Sequence, residues 1–188
     1  MDNFNFWKKI WNKKGNEKTC DLKHIDGFER DDIDFKKIYN NISQIIKLRK
    51  SDKVLEVGCG AGALGKFFIP NCQYRGCDYS ENMVNKHKEL VGKNVDVCEA
   101  GDLPYDDNFF DKVFAFSIFQ YFPNKEYAEE SIAEMVRVSR FSLFLGDLAF
   151  DSIDKNHFLI DKKYFNGWEL SNGFHNKNRF NAYLKLDD

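Results

Sequence analysis

The chain has 188 residues, with 28 basic and 30 acidic side chains and a formal net charge of -2. That is enough chain for one domain with its own core, and its charge gives no general attraction to phosphate backbones or anionic lipid. Phe is abundant (19), Pro is scarce (3) and the five cysteines form no paired framework, which points to an aromatic core in a reducing, cytoplasmic setting rather than a disulfide scaffold or a metal site. The opening stretch MDNFNFWKKIWNKK has no apolar h-region, and no run of about 18 apolar residues occurs, so neither a signal peptide nor a membrane span is expected.

In chain order, residues 1–30 read as an N-terminal arm or lid with a short helix around 6–11 and a loop after it, and residues 31–188 as the core of the same single domain. Ile33, Ile38, Ile42, Ile45, Ile46 and Leu48 recur at helical spacing and predict a helix over 32–48. A short buried strand is expected at 53–57, a helix over 61–69 stopped by Pro70, and a second strand at 73–77. Ser80 has the chemistry of an N-cap and Gly92 that of a C-terminal stop for a helix over 81–90. Strands at 95–98 and 111–116, an amphipathic helix over 124–138 and an apolar strand at 141–145 follow, and two late strands at 168–171 and 180–186 flank the turn-rich SNGFHNKN. Strands alternating with helices imply a doubly wound, mostly parallel α/β sheet of seven strands, with helices on both faces and an antiparallel C-terminal hairpin at one edge.

The first strand runs into VLEVGCGAGALG, residues 54–65, whose glycines bare the backbone where such sheets bind ligands. Gly60 to Gly65 also satisfies G-x-G-x-x-G, which alone suggests a dinucleotide. Other features point elsewhere. Glu56 lies two residues before the first glycine, where a carboxylate suits a cation and repels a pyrophosphate. Asp78, in GCDYS, is placed to accept from ribose hydroxyls, and Gly101-Asp102-Leu103-Pro104 follows the third strand where an adenine edge could be held. No residues remain for the separate substrate domain that many dehydrogenases need.

In VLEVGCGAG, GCDYSENM, AGDLPYDDNFFDKVFAFSIFQYF and EMVRVSRFSLFL, taken in order over about residues 35–147, the chain resembles the class I S-adenosylmethionine-dependent methyltransferases. The resemblance implies S-adenosyl-L-methionine as cofactor and S-adenosyl-L-homocysteine as product. It places Gly58, Cys59 and Gly60 under the methionyl part, with Glu56 near its ammonium. It also places Asp78 on the ribose diol, Tyr79 and Met83 near the adenine, and Asp102 on the adenine amino group with Leu103 against the ring. Phe116 and Ser117 fall beside the sulfonium, and Gln120 and Tyr121 face the acceptor. A nicotinamide enzyme, which would use a Tyr-x-x-x-Lys pair, is the competing reading of the glycines. Asp78 and Asp102 as plain turn caps, and Met83 and Leu103 as core, are the structural alternatives.

A hydroxyl acceptor must lose a proton, so a base near the methyl group is expected. Asp147, Asp151 and His157 in DLAFDSIDKNHFLI are the candidates, with His157 titrating in the useful range, whereas His24 and His175 read as surface residues. The end of the fourth strand, FSIFQYFPN, lacks the Asn-Pro-Pro-aromatic motif of amino methylation, and no Pro-Cys dipeptide supplies a nucleophile for cytosine. Lys8, Lys9, Lys13, Lys14 and Lys18, interleaved with Trp7 and Trp11, read as a solvated helix face before a nucleic-acid contact. The expectation is methyl transfer to a small acceptor, at oxygen of a metabolite or sugar-type precursor. An RNA methyltransferase and a non-catalytic adenosyl-ligand binder of the same fold are the alternatives.

Overall fold

The strand pattern begins with β1 (Lys53–Val57), β2 (Gln73–Asp78), β3 (Asp96–Val97) and β4 (Phe110–Phe116), and continues with β5 (Ser139–Ala149), β6 (Glu169–Asn172) and β7 (Arg179–Lys185). The computed structural model describes residues 3–28, 33–152 and 154–186. The strands form one seven-stranded sheet in the order β3-β2-β1-β4-β5-β7-β6. β1 pairs in parallel with both β2 and β4, so the order reverses at β1, where a crevice opens beyond the strand tips. β7 runs antiparallel to β5 and to β6, which makes the C-terminal edge the expected hairpin.

Helices α1 (Asn3–Gly15), α2 (Leu22–Ile25), α3 (Phe35–Ile45), α4 (Gly65–Phe68), α5 (Glu81–Val91) and α6 (Lys125–Val138) surround the sheet. Several starts are written locally: Asp34, Ser80 and Asn124 each accept from a backbone N–H of the first turn, and Gly92, at φ +74°, ends α5. Alternation along β4 and β5 divides the core into two layers. Val113, Ala115, Leu143 and Leu145 pack with Met135 and Val138 of α6. Phe114, Phe116 and Phe144 pack with Ile38 and Ile42 of α3 and Phe68 of α4. Each such buried Val, Leu, Ile, Phe or Met contributes about 1.5–3 kcal/mol by leaving water.

Four elements differ from the sequence expectation, each for a local reason. The helix expected over 61–69 is shortened to α4, because Gly58, Gly60 and Gly62 hold positive φ angles of 72°, 51° and 98° and the chain is still turning there. β5 extends well past Leu145 to Ala149, since β7 pairs along it on both sides of a register shift between Leu145 and Leu148. The arm helix fills Asn3–Gly15, and the expected loop after it contains α2, capped by Asp21. The third helix begins at Phe35, and the expected start at Asp32 lies outside the described residues.

Candidate functional site

A cleft lies across the carboxyl ends of β1, β2 and β4, where open α/β sheets bind their ligands. The glycine turn forms its floor. Gly58 N and Cys59 N both donate to Cys77 O, at 2.8 and 2.9 Å, and Gly60 N donates to Asp78 Oδ2 at 3.0 Å. These amides are spent inside the protein, so the turn offers a ligand bare surface rather than free donors. Space is equally committed: a Cβ on Gly60 would stand 2.5 Å from Asp26 Oδ1.

Three carboxylates converge on this turn. Asp78 closes β2, where its Oδ1 also accepts from Ser80 N at 2.9 Å, and burial raises its pKa to about 6 against those two N–H bonds. Glu56 sits in β1 at 4% exposure. Its Oε2 accepts from Tyr74 Oη at 2.6 Å, a contact that Gly76 permits by leaving room for the ring. Burial, aided by Asp26 and Asp78, lifts the Glu56 pKa to about 8. Nothing in the sequence marks the third acid, Asp26. It follows α2 and accepts from Ala61 N at 2.7 Å and from Ala63 N at 2.9 Å, and burial lifts it to about 7. Buried acids that raise one another are complementary to a cation.

Tyr79, Met83, Cys98, Ala100, Phe122 and Tyr127 wall the end of the cleft above β2 and β3. The expected adenine triplet is placed differently. Asp102 N donates to Glu99 O at 3.1 Å, and this tight turn leaves Asp102 exposed and off the cleft wall. Gly101 and Leu103 also stand outside the cleft walls, Leu103 being a core residue at 2% exposure. Cys98 and Ala100 take the wall positions there.

The opposite end joins the tips of β4 and β5. Phe116, Ser117 and Tyr121 line the cleft, as expected. Ser117 and Asp147 hold φ angles of +60° and +58°, a strain that non-glycine residues bear where the surroundings impose it, often at functional sites. Ser117 Oγ donates to Asp147 Oδ2 at 2.7 Å, and Gln120 Nε2 donates to both Ser117 O and Ser117 Oγ. His175, read from sequence as a surface residue, puts Nε2 3.5 Å from Asp147 Oδ1. Pairing of β7 with β5 brings it there, and nothing in SNGFHNKN signals it. Burial raises the Asp147 pKa, opposed by His175, Arg179 and Ser117.

His157 does not line the cleft. Its ring stacks on Trp7 with centroids 5.4 Å apart and stands edge-on to Tyr121, while Nδ1 is 2.6 Å from Ser152 Oγ, so it serves the packing behind the wall. Burial lowers its pKa. Asp151 is exposed and accepts from Asn178 Nδ2. A Tyr-x-x-x-Lys spacing does occur, from Tyr121 to Lys125, but Pro123 interrupts it. Tyr121 lines the cleft whereas Lys125 pairs with Glu129 in solvent, so the two do not form a nicotinamide-enzyme pair.

Residues 54–141 match the family model for a methyltransferase domain. The matched segment holds β1 to the start of β5, with the glycine turn, Glu56, Asp78 and Ser117. Demethylmenaquinone methyltransferase of Staphylococcus aureus is 36% identical over 100 residues, covering 49% of this chain and 40% of that protein; the match thus spans less than half the length of these curated relatives. Likeness of fold to solved structures extends beyond the matched segment. Magnesium protoporphyrin IX methyltransferase of Synechocystis, solved with S-adenosylmethionine bound, aligns over 98% of this chain and 96% of its own at TM-score 0.66 and 14% identity. A SAM-dependent methyltransferase of Aquifex aeolicus aligns over 96% and 98% at TM-score 0.64 and 20% identity. Among the described residues, no helix is long and apolar enough to cross a membrane, and no group of His, Cys, Asp and Glu could hold a metal ion.

Proposed function

We propose that this chain is an S-adenosyl-L-methionine-dependent methyltransferase acting on a small-molecule acceptor, with S-adenosyl-L-homocysteine as the product. The observation that carries the reading is the convergence of Glu56, Asp78 and Asp26 on a bare glycine turn, at the floor of a cleft beyond the strand tips. A pyrophosphate would oppose ionisation of these clustered carboxyls, whereas a sulfonium with an ammonium draws them into their charged form. When bound, the donor supplies a methyl group already activated by positive sulfur.

The remaining work falls to side chains. Asp78 keeps lone pairs for a ribose diol after accepting from Gly60 and Ser80. Glu56 attracts the ammonium across Gly58, Cys59 and Gly60. Tyr79 and Met83 sandwich the adenine, whose edge meets the 98–103 segment, with Cys98 and Ala100 at the wall and Gly101, Asp102 and Leu103 behind it. Phe116, Ser117 and Tyr121 exclude water at the acceptor end. A proton leaving an acceptor hydroxyl passes to Ser117 Oγ as the Ser117 proton moves to Asp147, with His175 opposite. Asp147 is thereby the acceptor-side base, in preference to His157, which stands behind Tyr121. This arrangement favours transfer to oxygen, and metabolites or sugar-type precursors of modest size fit the enclosed cleft.

Titration calorimetry with S-adenosylmethionine, followed by labelled-methyl transfer over metabolite pools and RNA, tests the reading. Binding together with label in a small molecule is the expected result. Absence of binding defeats it, label in RNA alone shifts it to a nucleic-acid enzyme, and binding with no label in any pool favours a non-catalytic adenosyl binder.

A further inference from the structure

The arm is fastened to the cleft from both sides. Along α5, Ser80 Oγ donates to Asn12 Oδ1 at 2.6 Å and Asn82 Nδ2 to Asn12 O at 3.0 Å. Gly15 lies so close to that helix that a Cβ would stand 2.6 Å from the Asn82 carbonyl carbon. At the acceptor end, Trp7 and Trp11 pack on Tyr121 with centroids 4.7 and 5.0 Å apart. Between these anchors Trp11, Asp26 and Phe28 become walls of the cleft. Asp26 spends one oxygen on Ala61 N and the other on Ala63 N, directly after the turn whose own amides are occupied. An arm that only covered the core would not need a half-buried carboxylate on the cleft wall beside the two fully buried ones, a placement that Lys14 of the arm offsets only in part.

We infer that Asp26 is a cofactor-binding residue delivered by the N-terminal arm: with Glu56 it holds the ammonium of the donor's amino-acid end, and its bonds to the glycine turn latch the arm over that end. The inference rests on the proposed cofactor. It assigns the latch to one part of the ligand, so an adenosyl ligand with an α-amino acid strengthens the hold of the arm and one without it does not. No bond is made or broken.

Calorimetry of wild type and Asp26→Asn with S-adenosylmethionine and with 5′-methylthioadenosine, which lacks the amino-acid end, reads this directly. The substitution should weaken S-adenosylmethionine about tenfold or more, as expected when one partner of a buried charged contact is lost, and shift methylthioadenosine by less than about twofold. Equal weakening of both ligands, or no change in either, overturns the inference. If wild type binds neither ligand, the cofactor reading itself fails, an outcome distinct from binding that ignores Asp26. Hydrogen exchange on the wild-type protein provides a second test that needs no variant. Protection of Ala61, Ala63 and residues 3–28 should rise with S-adenosylmethionine and stay at the free level with methylthioadenosine, and equal protection by both overturns the latch.

Discussion

The two ends of the cleft are built in different ways. The donor end is assembled from short contiguous stretches: the turn after β1, the tip of β2 and the start of α5 lie within residues 54–83 and are braced by their own backbone bonds. The acceptor end draws Ser117, Asp147 and His175 from three distant parts of the chain, and the arm reaches both ends, with Asp26 on the glycine turn and Trp7 and Trp11 on Tyr121. On the proposed reading the first design holds a ligand that does not change, and local sequence suffices for its floor, though not for Asp26. The second would then be where a substrate is chosen, and tertiary pairing brings its parts together.

Substitutions at each end should therefore separate binding from transfer. The largest effect is expected for Asp78→Ala. Removing a buried, doubly hydrogen-bonded carboxylate should weaken S-adenosylmethionine by about 100-fold or more while the fold stays intact by circular dichroism; unchanged affinity in calorimetry would remove Asp78 from the site. Next comes Asp147→Asn, which should slow methyl transfer by roughly 100-fold and leave donor affinity within about threefold. A variant that transfers at the wild-type rate would break the contrast between the two ends.

Acidity supplies a third probe, confined to the donor end. Asp78, Asp26 and Glu56 titrate at about 6, 7 and 8 in the folded chain, and near 4 when unfolded. The folded form holds more protons than the unfolded form through this window, so the stability of the free protein falls as pH rises from about 5 to 8. A cationic donor works in the opposite sense: it favours the ionised acids, so its affinity rises with pH and protons leave on binding. Melting curves at both ends of the window should differ by several degrees, at about 2–4 °C per kcal/mol for a chain of this size, and calorimetry in two buffers counts the protons. A flat profile in both would show that the three acids are already ionised. The smallest effect is expected for His157→Ala, which should cost about 1–2 kcal/mol of stability through lost packing on Trp7 and Tyr121 and shift the transfer rate by less than about threefold; a large rate loss would bring His157 back as base.

The same contrast explains what can be read from the chain alone. Capped helices, alternating strands and the glycine turn follow from short-range chemistry, so the sheet, its edge hairpin, Glu56 and Asp78 are legible. Asp102 is not: its placement depends on a backbone turn closed by Glu99 rather than on residue type. Asp26 and His175 carry no local signal because each is polar in a polar neighbourhood, and each acquires a partner only when a remote segment folds onto the strand tips. His157 stands out in the sequence as a titratable ring, and only the fold shows that its Nδ1 lies 2.6 Å from Ser152 Oγ.

One carbonyl, that of Cys77, accepts from two successive amides of the glycine turn. That shared acceptor presets the shape of the turn before any ligand arrives, so little conformational freedom is left to lose there on association. Exchange of spent donor for fresh should accordingly be governed by how fast the arm swings away, while the floor beneath it keeps a single shape through every turnover.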